Sequence, residues 1–243
     1  MESIVSTTKP LQDLNNKIQH VVSFFSDLQF DAEQHIYKHK ERQLRSVSSV
    51  IKSFVVPFDA DRIAGYVAKS RGCDKEDVLQ EWEDKKNAAC DKGNRVHEFG
   101  ENYKKGDSPT DGHEAAVVAF WDSVPPHIVP FTMELKMFSK KLGVAGTADI
   151  ILYNTLTGKF TIADYKTNID LFKNYRGKKM LMPFNDMLDS PYSKYEVQLS
   201  FYQLLFEQCG FEVEDRIVIW LKPDGSFEKY RTSNLIDTIK TIV

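Results

Sequence analysis

Gly146-Thr-Ala-Asp149-Ile-Ile-Leu152 and, one turn later, Thr161-Ile-Ala-Asp164-Tyr-Lys166-Thr167 are the stretch on which the fold is decided. The runs Val144 to Tyr153 and Phe160 to Lys166 have the two-residue period and β-branched content of strands, and Asn154 to Lys159 between them has the composition of a turn. If the hairpin turns at Leu156-Thr157, paired residue numbers sum to 313. Asp149 then faces Asp164, and Lys166 follows two residues further along the same face. Two carboxylates across a ladder repel. A divalent cation with oxygen ligands removes the repulsion, which is how magnesium is usually held in phosphoryl-transfer sites. Lys166 could polarise a phosphate oxygen or an attacking water, and a nearby cation would lower its pKa. The other reading is a cross-strand charge cluster on a solvated sheet face. Ile150, Leu152 and Ile162 make these strands half buried, where unpaired acids cost several kcal/mol, but spacing alone leaves both readings open.

Working outward, Phe131-Thr-Met-Glu-Leu-Lys-Met137 reads as the strand before this hairpin. Upstream, Leu11, Leu14, Ile18, Val21 or Val22, Phe25 and Leu28 form the stripe of an amphipathic packing helix. Alternation around His35-Ile36-Tyr37 and Gln43 to Val47 suggests a small hairpin, followed by a helix capped at Ser48 or Ser49. Beyond the boundary at Pro57, helical patterns run from Asp59 to about Arg71 and from Asp74 to about Tyr103. Gly93 stands in the second as a break or a close-packing point. Residues 104–112 read as loop, and a short helix follows from Gly112 to Trp121. After the hairpin come a basic connector to about Asp189, a helix from Lys194 to Gln208 stopped by Gly210, and closing strands at Arg216 to Leu221 and Glu228 to Arg231. The economical architecture is α/β, a mixed central sheet flanked by helices with a helical N-terminal elaboration.

Read in order, Gly93-Asn-Arg-Val-His97, Glu134, Gly146-Thr-Ala-Asp149, Asp164-Tyr-Lys166 and Gln198-Leu-Ser-Phe-Tyr202 resemble the motif series of the PD-(D/E)xK nucleases, and among them the RecB-type exonucleases. The resemblance covers roughly Arg45 to Arg231, and in size and layout the chain is similar to compact phage exonucleases and mitochondrial genome maintenance exonucleases. It implies a restriction-endonuclease-like core, with residues 1–43 as an N-terminal helix and hairpin and 44–243 as the nuclease domain. It also implies a metal site of His97, Asp149, Asp164 and the Tyr165 carbonyl, with Lys166 as the catalytic lysine and Gln198 and Tyr202 aimed at the site or the DNA backbone. The residues themselves allow less. His97 shares a helix face with Gly93 and Glu101, Glu134 could pair with Lys136 on a solvated face or orient water, metal or His97, and Tyr202 could pack with Phe201 and Leu205.

Charge and cysteine content bound the function. The net charge is −3, so any nucleic-acid contact must come from local patches. One lies at Lys166, Lys173, Arg176, Lys178 and Lys179 against Asp170; another at Lys38, Lys40, Arg42, Arg45 and Lys52 against Glu41. Phe172, Tyr175 and Tyr37 offer stacking faces among them. The long connector between Lys166 and Gln198 could act as a flap or arch over a strand end. Cys73, Cys90 and Cys209 fit neither a disulfide framework nor the four-cysteine iron–sulfur cluster of some RecB-type relatives, so no cluster is expected. A reducing cytoplasm is the expected setting, the host's if the chain is phage-encoded. No apolar run long enough to span a membrane occurs, Met1 to Pro10 lacks the apolar core of a secretory signal, and no Walker A motif is present. The expectation is therefore a Mg²⁺-dependent DNA exonuclease in which Mn²⁺ substitutes and Ca²⁺ binds without supporting much chemistry. A related endonuclease and a silent DNA-binding protein are the alternatives. Recombination, replication and repair are all contexts for such chemistry.

Overall fold

The computed structural model describes residues 8–34 and 36–242; the expectations for Met1 to Thr7, the Leu11 side chain and His35 fall outside what is described. Helix α1 (Thr8–Phe24) buries Val21 and leaves Val22 exposed, Phe25 is buried in the turn that follows, and Leu28 opens strand β1 (Leu28–Asp31). Strands β2 (Ile36–His39) and β3 (Arg42–Ser46) form the expected hairpin. The next helix, α2 (Val47–Lys52), is capped by Ser46 instead of Ser48 or Ser49, its hydroxyl accepting from the Ser49 amide. Helix α3 (Ala60–Arg71) is capped by Asp59 and stopped by Gly72 in the left-handed conformation. Helix α4 (Lys75–Asn102) runs through Gly93 without a break, and α5 (Gly112–Ser123) is capped by Asp111.

The sheet is built chiefly from β4 (Ile128–Ser139), β5 (Val144–Asn154), β6 (Phe160–Lys166), β7 (Val213–Leu221) and β8 (Phe227–Arg231). Helix α6 (Pro191–Phe206) joins β6 to β7 in a parallel β-α-β unit. It begins three residues before the expected Lys194 because Ser190 caps it and Pro191 occupies its first turn. A short helix, α7 (Ile236–Lys240), closes the described chain.

These strands form an eight-stranded mixed sheet of order β1-β2-β3-β5-β6-β7-β8, with β4 also paired to β5. Among the described residues, β3–β5 and β6–β7 are the parallel pairs. One apolar cluster gathers Val21, Val47, Leu199 and Leu205 with the sheet's Met137, Ile151 and Ile162. A second gathers Val96, Val117 and Phe120 with Ile150, Ala163 and Ile219. The chain is thus an α/β sheet covered by α1, α2 and α6 on one side and by α4 and α5 on the other, with the N-terminal hairpin extending the sheet. No described helix is long and apolar enough to cross a membrane.

The pairing of β5 creates an opening. β4 runs along one edge of β5 for its whole length, from Ile128↔Asn154 to Ser139↔Val144, so β3 and β6 must share the other edge. β3 takes Val144 and Ala145, while β6 takes Ile150 to Tyr153. Gly146 to Asp149 lie between them with no strand partner on that edge among the described residues.

Candidate active site

Over this opening sits a cleft of about 540 Å³ whose walls include Gly93 and His97 of α4, Glu134 of β4, Asp149 of β5 and Gln198 and Tyr202 of α6. The hairpin register is the expected one, with Ile150↔Ala163, Ile151↔Ile162, Leu152↔Thr161 and Tyr153↔Phe160 all summing to 313. The next rung would join Asp149 to Asp164, but backbone pairing has stopped there and the Asp149 carboxylate instead accepts the Tyr165 amide at 3.0 Å. On the other edge, partners step from Met133↔Ile150 to Leu135↔Ala148, so Glu134 faces Asp149 across an interrupted rung. Glu134, Asp149 and Asp164 therefore stand at one level of three adjacent strands.

Glu134 carries a feature with no sequence signal, a left-handed backbone at φ 49°, which costs a residue with a Cβ roughly 1–2 kcal/mol. The side chains flanking this rung divide between the two cores. Met133 and Ile150 pack with the α4/α5 cluster, whereas Leu135 and Ala148 pack with the α1/α6 cluster. Glu134 and Lys136 both line the cleft, on the one face that the alternation assigns them. No ion pair joins them among the described residues, and Lys136 lies 5.6 Å over the Phe30 ring. Such strain concentrates where surrounding structure enforces it, commonly at functional sites.

The charged groups interlock. His97 places Nδ1 3.1 Å from the Asp149 carboxylate and donates from Nε2 to the Tyr165 carbonyl at 3.0 Å. Burial alone would favour the neutral ring, but Asp149 outweighs it and pushes the pKa up to about 9, so both nitrogens carry protons at neutral pH. Burial would also raise Asp149, yet His97 holds its carboxyl below the ordinary range. Asp164 is buried beside Asp149 and moves upward for both reasons, although Lys166 ion-pairs with it. Burial likewise raises Glu134, reinforced by Asp149, to about 7. The Lys166 ammonium is disfavoured by burial, but Asp164 and Asp149 hold its pKa well above the usual value, and it lies 4.5 Å over the Tyr195 ring. Lys166 is a fixed cation, not a base. It and Asp164 lie behind the cleft wall, while His97, Glu134 and Asp149 form the wall itself.

The donor set suits a hard divalent ion. Ligand atoms of His97, Glu134 and Asp149 lie within 4.8 Å of one another, oxygen donors dominate, and two carboxyls are driven upward by burial and mutual repulsion that a cation would relieve. His97 would have to surrender a hydrogen bond, to Asp149 or to the Tyr165 carbonyl, before it could serve as a ligand.

Two glycines let the helices reach this site. A Cβ on Gly146 would lie 2.6 Å from the Tyr202 ring, and one on Gly100 would lie 2.5 Å from the Tyr165 ring. Gly100 is thus the close-packing point of α4. A Cβ on Gly93 would meet nothing within 4 Å among the described residues, so Gly93 is neither a break nor a packing contact. Tyr202 is 4% exposed and its hydroxyl accepts from Gln198 at 2.9 Å, so it forms a wall of the cleft instead of an outer DNA-facing surface. Sequence reasoning passed over Tyr195, whose hydroxyl donates to Asn168 beneath Lys166; its spacing of three and seven residues from Gln198 and Tyr202 was the available signal.

The basic residues lie further out. Lys173, Arg176 and Lys179 are exposed on the connector, and Arg45 is exposed on β3. Lys178 is committed to structure, donating to the Val56 carbonyl at 3.1 Å and lying 3.6 Å from Asp189. The connector itself is pinned. Leu171, Met180 and Phe184 are buried, and the Leu181 amide donates to the Phe54 carbonyl, an arrangement unlike a free flap. All three cysteines are free thiols.

No family model matches the chain, and no curated protein matches it. Among solved structures, the crystal structure of SSO0001 is similar at 14% identity and a TM-score of 0.33, over 95% of this chain and 85% of that one.

Proposed function

We propose that the protein is a metal-dependent DNA nuclease of the PD-(D/E)xK type, hydrolysing phosphodiester bonds from strand ends. The observation that carries this reading is the alignment of Glu134, Asp149 and Asp164 at one interrupted level of β4, β5 and β6, with His97 against Asp149 and Lys166 behind Asp164. The ordered motif series from Gly93 to Tyr202 supports it, as does the mixed sheet on which the motifs sit. Mg²⁺ held by Glu134 and Asp149 on the cleft wall, and by Asp164 once its ion pair with Lys166 opens, would activate water and stabilise charge on the leaving oxygen. Lys166 keeps its proton and offers a fixed positive charge to the phosphate as negative charge builds there. Glu134, on the cleft wall beside Asp149 and without its proton once a metal is bound, would orient the attacking water. His97 holds Asp149 and the Tyr165 carbonyl in place, and Gln198 and Tyr202 brace the opposite wall. Water adds to phosphorus, the bond to the leaving oxygen breaks, and no covalent enzyme intermediate is needed. The exposed Lys173, Arg176, Lys179 and Arg45 are the residues to track the phosphate backbone.

The test is degradation of end-labelled linear single- and double-stranded DNA beside a covalently closed circle, with Mg²⁺, Mn²⁺ or EDTA and with Lys166→Ala as control. Metal-dependent loss of the linear DNA alone, abolished in the variant, is the expected result. Cutting of the circle would make the protein an endonuclease, and binding without cleavage under any metal would make it a DNA-binding module.

A further inference from the structure

Glycine in a helix interior exposes backbone and loses more chain entropy on folding than any other residue, so alanine is the more stable choice there unless a side chain would obstruct something. Gly93 lies in the interior of the 28-residue α4. Gly100, on the same helix, has a packing reason in the Tyr165 ring, but at Gly93 no described atom beyond the helix's own backbone lies within 4 Å of the point a Cβ would occupy. Its surroundings are the cleft. Cys90, Gly93, Asn94 and His97 line one wall, at the spacing of a single helix face, and Ser46 and Ser48 line the other. The acidic groups of the same face, Glu98 and Glu101, fall beyond His97, so the stretch around Gly93 is the uncharged end, where a polyanion meets least repulsion.

We propose that the missing side chain at Gly93 sets the clearance for a DNA strand, whose sugar-phosphate backbone passes between α4 and Ser46–Ser48 next to the scissile phosphate. This rests on the nuclease reading and adds to it the course of the strand through the cleft. Gly65 of α3 provides an internal control, since a Cβ there also meets nothing within 4 Å among the described residues and Gly65 lines no part of the cleft.

The experiment compares wild type, Gly65→Ala, Gly93→Ala and Gly93→Leu in melting temperature and in steady-state cleavage of end-labelled linear DNA with Mg²⁺. Both alanine variants should melt roughly 2–4 °C higher, because alanine favours the helix. KM should stay at the wild-type value in Gly65→Ala, rise several-fold in Gly93→Ala, and rise on the order of tenfold or more in Gly93→Leu, with kcat at saturating DNA changed by less than about twofold. Wild-type KM in Gly93→Leu, or a lowered melting temperature in Gly93→Ala, would overturn the clearance role while leaving the nuclease reading intact. Absence of metal-dependent cleavage by wild type would overturn the nuclease reading, and this proposal with it.

Discussion

Glu134 combines a left-handed backbone with a carboxyl titrating near 7, and both features cost stability that a structural residue would not retain. Its folded pKa lies above the ordinary carboxylate value, so the folded state holds the proton more tightly than the unfolded chain. The protein loses stability as pH climbs from about 4.5 to about 7 and carries the full penalty above that. Glu134→Gln removes the ionisation. In EDTA, urea unfolding at pH 8 should show the variant about 1–2 kcal/mol more stable than wild type, with little difference at pH 4. Cleavage should fall on the order of 10²-fold or more. At Lys166 the expectation is different. Lys166→Ala should lower kcat on the order of 10²–10³-fold because a fixed charge on the phosphate is lost. It should also destabilise the fold, since Asp164 is left buried without its partner. Asp149, Asp164 and Lys166 were legible because strand alternation and turn length place them without further information. The backbone of Glu134 was not, because a glutamate in a strand pattern carries no mark of positive φ.

Between elements, the close approach of α6 to β5 depends on Gly146. Gly146→Ala puts a methyl 2.6 Å from the Tyr202 ring and 3.2 Å from Val47, an overpacking expected to cost about 1–3 kcal/mol in urea unfolding. Combining it with Tyr202→Ala should recover part of that loss, and a strictly additive double mutant would contradict the contact. The hairpin register was readable from residues 144–166 because the turn fixes it. Element ends were less readable. Ser46, Ser48 and Ser49 are chemically equivalent caps, and only the parallel pairing of Arg45 and Ser46 with β5 decides that the helix starts at Val47. β1 and α7 span too few residues to show a period. Gly93 and Gly100 look alike in sequence, and only the position of the Tyr165 ring separates them.

For the whole molecule, the two apolar clusters hold a sheet in which one edge of β5 has no described strand partner at Gly146 to Asp149, and the acids gather at that gap. The layers were legible from periodicity. The gap was not readable, because it arises from β3 and β6 sharing one edge of β5, a long-range pairing that no local pattern encodes. Metal binding here must displace protons from Glu134 and from the Asp149–Asp164 pair, so affinity for Mn²⁺ should rise as pH passes upward through about 7. Calorimetric titration in buffers of different ionisation enthalpy would detect the released protons, and a pH-independent affinity with no release would place the metal elsewhere. The most direct test of the central claim is an anomalous-scattering map of crystals grown with Mn²⁺. A peak bounded by Glu134, Asp149 and Asp164, with the Asp164–Lys166 pair opened, is the predicted result. A map without a peak there, with His97 still on Asp149 and Lys166 still on Asp164, would contradict it.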